Sequence, residues 1–280
     1  MTGMRHSDRY RALFWGIFVA VVPALARAPA YAISFHFSPA TISVEAAPGQ
    51  TVSRTLSLTL AKECAPTHFK ARMEDWWRNE GNDRTFYAQA GTIAHSCGKW
   101  CSVNPVESAV KPDETMTVKV TVHVPGDAKP GGYWSALTID EVPDPTEPRP
   151  TGVSMIFRAS LSVAIYVEIP TATRAARISG VRIADGRASV TLVNEGNIPL
   201  RVNGTFEFRK PGEETPVITI PVGGEPILPE PINTCTFSAA LPDSAKLPDG
   251  RYKVRVIVDA GLDHVLGAER ELDILRPPNR

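Results

Sequence analysis

The stretch Ala94–Pro105, AHSCGKWCSVNP, places His95, Cys97, Trp100 and Cys101 within seven residues. Three chemistries suit such a cluster. Cysteine and histidine bind zinc, and Cys64 and His68 in the nearby CAPTH segment add two more candidate ligands. A pair of close thiols can also cycle between dithiol and disulfide, or form one permanent structural bond. The spacing lacks the tight paired knuckles of a zinc finger. Redox pairs usually enclose two residues at a helix start, where the dipole lowers the thiol pKa; here three residues intervene in a strand-rich context. A structural disulfide is therefore expected, with no metal and no cofactor. The candidates are Cys64, Cys97 and Cys101, and Cys235 stands apart late in the chain. The pairing stays open among these three. Loop-closure entropy favours a bond from Cys64: a loop of roughly 35 residues contributes about 4 kcal/mol, against about 2 for five residues.

A disulfide needs an oxidising compartment, and the amino terminus supplies the route to one. Arg5, Arg9 and Arg11 precede the apolar run Leu13–Leu25, and Ala30-Tyr31-Ala32 forms a small-x-small cleavage signal. The run is short for a membrane span, and Pro23 interrupts it. We read residues 1–32 as a bacterial signal peptide cut after Ala32, which places the mature chain in the periplasm or outside the cell. Its removal leaves 26 basic and 29 acidic residues, so no basic excess draws in nucleic acid. No second apolar run reaches membrane length, so no transmembrane anchor is expected after cleavage.

The elements that must position the cysteines are strands. Val52, Leu56, Leu58 and Leu60 alternate with polar residues. Met116, Val118, Val120, Val122 and Val124 do the same, and so do Met155, Phe157, Ala159, Leu161, Val163, Ile165 and Val167. A period of two with many β-branched residues marks strands with one buried face. The mature chain shows no amphipathic helix of ordinary length. Its 25 prolines and 20 glycines fall mostly between the apolar runs. The expected fold is all-β: two immunoglobulin-like sandwiches, at 33–170 and 178–275, joined by a linker at 171–177 and followed by a frayed tail at 276–280. Asp185-Gly186 reads as a hairpin turn. In DAKPGGYWSALTID and AKLPDGRYKVRVIVD, Pro and Gly precede Tyr133 and Tyr252, each a candidate tyrosine corner.

Three segments carry a family pattern. CSVNPVESAVKPDETMTVKVTV reads as strand, Asn-Pro turn, strand and turn before a long apolar strand. GGYWSALTIDEVP ends in Val142-Pro143, and SLSVAIYVEIP closes on Ile169-Pro170. Residues 33–170 thereby resemble the N-terminal domain of periplasmic pilus-assembly chaperones. FSPATISVEAAPGQTVSRTLSLT and MEDWW also suit the wider group of exported sandwich pairs, including WxL-interacting, peptidoglycan-binding proteins. The chaperone resemblance implies a partner-binding strand carrying Met155, Phe157, Leu161, Val163 and Ile165, which adds to a subunit of an envelope or surface structure. It also implies a partner-access loop with Val142, Pro143, Pro145 and Pro148. Chaperones of this kind hold a carboxylate with an Arg in the first strand and a Lys in the donor strand. Here SPATISVEA has no basic residue, and Ala164 or Tyr166 stands near the expected Lys.

Aromatic residues support an alternative. Trp76 and Trp77 are adjacent and must point to opposite faces of a strand, so one is expected to face solvent or a partner. Exposed indoles stack on sugars, which makes a cell-wall glycan the alternative partner. Trp100 beside Cys101 fits an indole packed near a disulfide. Adjacent carboxylates Glu74-Asp75 and Asp140-Glu141 point apart in strands and read as solvated charge. Neither a catalytic triad signature nor a phosphate-cradling glycine loop is present. The sequence thus predicts an exported, non-enzymatic chaperone-like factor for pilus or surface-structure assembly, with an envelope glycan-binding module as the alternative.

Overall fold

A computed structural model describes residues 34–143 and 158–275. The stretch read as a signal peptide, Met155, Phe157, Pro145, Pro148 and the tail 276–280 lie outside the described residues. Two sandwiches of paired sheets make up the fold, and among the described residues all regular elements are strands apart from one short 3-10 turn.

The first sandwich contains β1 (Phe35–Ser38), β2 (Thr41–Glu45), β3 (Thr51–Leu60), β4 (Thr67–Arg78) and β5 (Thr85–Gln89). A 3-10 turn at Gly98–Trp100 then leads into β6 (Cys101–Asn104), β7 (Glu107–Val110), β8 (Thr115–His123), β9 (Gly131–Val142) and β10 (Ser160–Ile169). One sheet runs β1-β3-β8-β6. The other runs β2-β10-β9-β4-β5, with β7 also on β4. Between Ser38 and Thr41 the chain leaves β3 and crosses to β10, where β2 pairs in parallel. The alternating residues of β3, β8 and β10 meet in one core, and Leu56, Leu58, Val118, Val120, Val163, Ile165 and Val167 are all buried in it. Their polar neighbours bond across the outer face of β3 and β8. Ser53 reaches Thr121 at 2.9 Å and Thr59 reaches Thr115 at 2.7 Å.

The second sandwich comprises β11 (Ala176–Ala184), β12 (Arg187–Asn194), β13 (Leu200–Arg209), β14 (Ile218–Ile227), β15 (Thr234–Ala240), β16 (Gly250–Asp259) and β17 (Leu266–Ile274). Its sheets run β11-β12-β15 and β14-β13-β16-β17. Asp185 and Gly186 join β11 to β12 with positive φ at both positions, as a type I′ hairpin requires. Both tyrosine corners form: the Tyr133 hydroxyl donates to the Lys129 carbonyl at 3.2 Å, and that of Tyr252 to the Pro248 carbonyl at 3.0 Å.

The two sandwiches meet on the outer face of the larger sheet. Trp76, Trp134 and Ala136 from the first form a buried cluster with Leu228 from the second, and Tyr166 and Ile232 pack around them. Gly132 N–H donates to the Asn197 carbonyl at 2.7 Å, and Thr236 N–H to the Glu80 carbonyl at 2.7 Å. Gly132 permits this approach. A Cβ there would stand 2.4 Å from Pro199 Cδ and 2.8 Å from Ile198 Cα. We expect Gly132→Ala to force the sandwiches apart and to destabilise by about 1–3 kcal/mol, seen as a lower denaturant midpoint and earlier exposure of tryptophan.

Candidate functional site: an open strand edge beside an inter-sandwich cleft

Strand β10 holds three of the predicted partner-binding residues, Leu161, Val163 and Ile165. It pairs with β9 along its whole length, from Ser160 opposite Asp140 to Ile169 opposite Gly131. On its other side β2 covers only Ala164–Glu168. Among the described residues no strand pairs with Ser160–Val163 on that side, so the first part of β10 presents an open edge. Val163 and Ile165 are fully buried in the chain's own core. Leu161 is half-buried at the margin of that core, next to the open edge. Val142 is half-buried where β9 ends, and Pro143 is exposed beside it.

A polar network stiffens this end of the sheet. Arg72 bridges Glu74 and Asp140, reaching Asp140 Oδ2 at 2.6 Å. Ser160 donates to Asp140 Oδ1 at 2.6 Å, and Thr138 donates to Glu74 Oε2 at 2.8 Å while meeting Ser162 Oγ at 2.9 Å. Burial disfavours the charged form of Asp140, but the hydrogen bonds from Arg72 and Ser160 outweigh it and hold this carboxyl below its usual range. Glu141 pins the strand entry, accepting from Ala159 N–H at 2.9 Å and from Arg158 at 3.3 Å.

The other half of β10 borders a cleft between the sandwiches. One cavity of about 490 Å³ is lined by Tyr166, Glu168, Arg174, Arg201 and Pro226, among others. A second, of about 270 Å³, adds Arg78, Tyr87 and Glu225. Arg78 pairs with Glu225 at 2.9 Å, and Arg174 bonds both Glu168 oxygens at 2.6 and 2.7 Å. Arg201 is exposed and lines both cavities. Burial pushes the Tyr166 hydroxyl up to about 12, so it stays a neutral donor at ordinary pH. Arg78 and Arg201 escaped the sequence reading because they come from β4 and β13, and no local pattern links them.

The opening cysteine cluster is organised by a carboxylate that the sequence suggested was solvated. Asp75 is completely buried. Its Oδ2 accepts from the N–H groups of Gly91, Thr92 and Ile93 at 2.9, 2.7 and 3.0 Å. Its Oδ1 accepts from Ser96 at 2.5 Å and Ser135 at 3.0 Å. This carboxylate holds the segment before Cys97 over the end of the sandwich. Cys64, Cys97, Cys101 and Cys235 are all thiols in the structure. Cys64 exchanges hydrogen bonds with the Ser34 backbone, and Cys235 is buried in the second core. Among the described residues no cluster of three or more His, Cys, Asp or Glu is placed to hold a metal ion.

The tryptophans take different roles. Trp76 is buried at the sandwich junction, and its indole N–H donates to the Ser135 carbonyl at 3.3 Å. Trp77, half-buried on the opposite face, stacks on exposed Phe86 with centroids 5.6 Å apart. Trp100 packs on Tyr133 at 4.4 Å, beside the first core.

An all-β pair of immunoglobulin-like sandwiches with a half-open strand at its cleft is the class of protein these features define. No family model and no curated protein matches the sequence. Among solved structures, the chain is similar to the class 5 fimbriae chaperone CfaA, at 13% identity and TM-score 0.46, covering 86% of this chain and 100% of that one. It is similar to the Pseudomonas aeruginosa CupB2 chaperone at 14% identity and TM-score 0.45, covering 85% and 100%. A chain of the Salmonella enterica SafA pilin complex with the SafB chaperone matches at 13% identity and TM-score 0.45, covering 85% and 96%.

Replacing Asp75 by Ala strips Ile93 N–H of its acceptor, takes one acceptor from Thr92 N–H and leaves Gly91 N–H with Ser96 Oγ alone. We expect a loss of about 3 kcal/mol or more, together with faster tryptic cutting at Lys99, read by denaturant titration and limited proteolysis. The lowered pKa of Asp140 gives a stability contribution that is full above its unfolded value of 3.8 and is lost as pH falls through the folded value. The difference in urea midpoint between wild type and Asp140→Asn should therefore be largest near neutral pH and shrink below about pH 4.

Proposed function

We propose that this chain is an exported, non-enzymatic factor that assists assembly of a pilus or related surface structure by adding a strand to a protein subunit. The observation that carries this reading is the half-open edge of β10. Among the described residues Ser160–Val163 have strand partners on the β9 side only, and the proline-rich stretch 141–152 lies shortly before them in the chain. An added subunit strand would satisfy the free backbone groups of this edge. Leu161 would supply an apolar contact, and Met155 and Phe157 would extend the same alternation upstream. Val142, Pro143, Pro145 and Pro148 would govern access from the connection. The network of Arg72, Glu74, Thr138 and Asp140 behind the edge keeps it straight, which lowers the ordering cost of pairing. Export to the periplasm, with cleavage after Ala32, brings the chain to such a partner.

A second reading rests on a different observation. Phe86 is exposed on edge strand β5, with Trp77 stacked beneath it. Such a surface suits the apolar face of a cell-wall sugar.

Co-purification with surface subunits expressed alongside tests the first reading. Leu161→Arg should remove subunit capture, by at least tenfold, while the circular dichroism spectrum and melting midpoint stay near wild type. Val163→Arg, which buries a charge in the core, should unfold the protein. Undiminished capture by folded Leu161→Arg, combined with retention on peptidoglycan that Phe86→Ala abolishes, would replace strand addition by the glycan reading.

A further inference from the structure

The strand register decides among the cysteines. Cys101 opens β6 opposite Val122, at one end of β8. Cys64 follows β3, whose last pairing with β8 is Thr59 opposite Thr115. Seven steps of β8 separate those positions, or about 23 Å at the rise of an antiparallel strand. A disulfide requires Cα atoms within about 7 Å, so neither Cys97 nor Cys101 can reach Cys64. The entropic advantage of the longer loop is therefore not realised. Cys235 belongs to the core of the other sandwich.

Cys97 and Cys101 flank the single turn Gly98–Trp100, in which Trp100 N–H donates to the Cys97 carbonyl at 2.9 Å and Cys101 N–H returns to the Gly98 carbonyl. Both side chains pack in the first core, Cys97 fully buried and Cys101 half-exposed. Burial pushes the Cys97 thiol up, and contact with Cys101 adds to the shift. The two cysteines are tied to different sheets, Cys97 through backbone contacts and Cys101 as the first residue of β6. Ser96 bridges to Trp134 and Cys97 N–H donates to the Trp134 carbonyl, in the larger sheet, whereas Cys101 pairs with Val122 in the smaller one.

We propose that Cys97 and Cys101 form a disulfide that staples together the two sheets of the first sandwich. The more exposed Cys101 attacks an exchanging protein disulfide as thiolate and forms a mixed disulfide, releasing one thiol of the oxidant. Cys97 then loses its proton and attacks the Cys101 sulfur, displacing the second thiol. Two protons and two electrons leave the pair, and the oxidant becomes a dithiol. The bond fixes the Asp75-held segment against Trp134, which also anchors the second sandwich. This assignment stands independently of strand addition.

Lys99 lies between the two cysteines, so trypsin makes the bond visible. Full-length protein secreted into an oxidising compartment is alkylated under denaturing conditions without reductant and then digested. We expect peptides 85–99 and 100–119 to emerge covalently joined, with Cys64 and Cys235 alkylated. Reductant should lower the melting midpoint of the wild type by about 4–8 °C and leave that of Cys101→Ser unchanged. Alkylation of both Cys97 and Cys101, a bond from either to Cys64, or the same melting shift in Cys101→Ser would overturn the assignment.

Discussion

Strand β9 is buried on both faces from Trp134 to Ile139. Leu137 and Ile139 point into the first core, while Trp134 and Ala136 face the second sandwich. A strand covered on both sides has no solvated face to tolerate slippage, because a one-residue shift would exchange the two sets of side chains. Its neighbours inherit that register. Strand β10 pairs with it over ten residues and β4 over seven. The open edge of β10, the junction cluster and the loop over the sandwich end all take their positions from this one strand.

The polar groups buried beside β9 have the same organising role. Ser135 donates to Asp75, and the Trp134 indole N–H donates to the Trp76 carbonyl at 2.8 Å. An ionised carboxylate is costly to bury unless its oxygens are satisfied, and Asp75 has five donors. Such an arrangement selects one loop conformation, since any other leaves charge and amide groups unpaired at once. The loop so held delivers Cys97 to the turn that ends at Cys101. The cysteine cluster is thereby a consequence of a buried acid two strands away in sequence.

Much of the fold was legible in the chain itself. Alternation located β3 and β8 and named their buried faces. Asp185-Gly186 located a hairpin, and two Pro–Gly–Tyr segments located two tyrosine corners. The candidate site was legible only in part. Alternation put Leu161, Val163 and Ile165 on one face but could not tell a core position from one at an open edge. Trp76 is covered by the second sandwich, whereas Trp77 is half-buried and stacks on Phe86. Asp75 looked like surface charge because its donors come from residues 91–96 and 135.

The sequence by itself determined the strands, their inward faces and the turns between them, because these depend on neighbours one to four residues apart. Tertiary structure alone decided which half of β10 lacks a second strand partner among the described residues, that Arg78 and Arg201 line one cleft, and that Cys64 lies far from Cys97 and Cys101. Each of these depends on which strand lies beside which, and in what register. Parity along a strand carries no information about that choice; the packing of the two sandwiches around β9 supplies it.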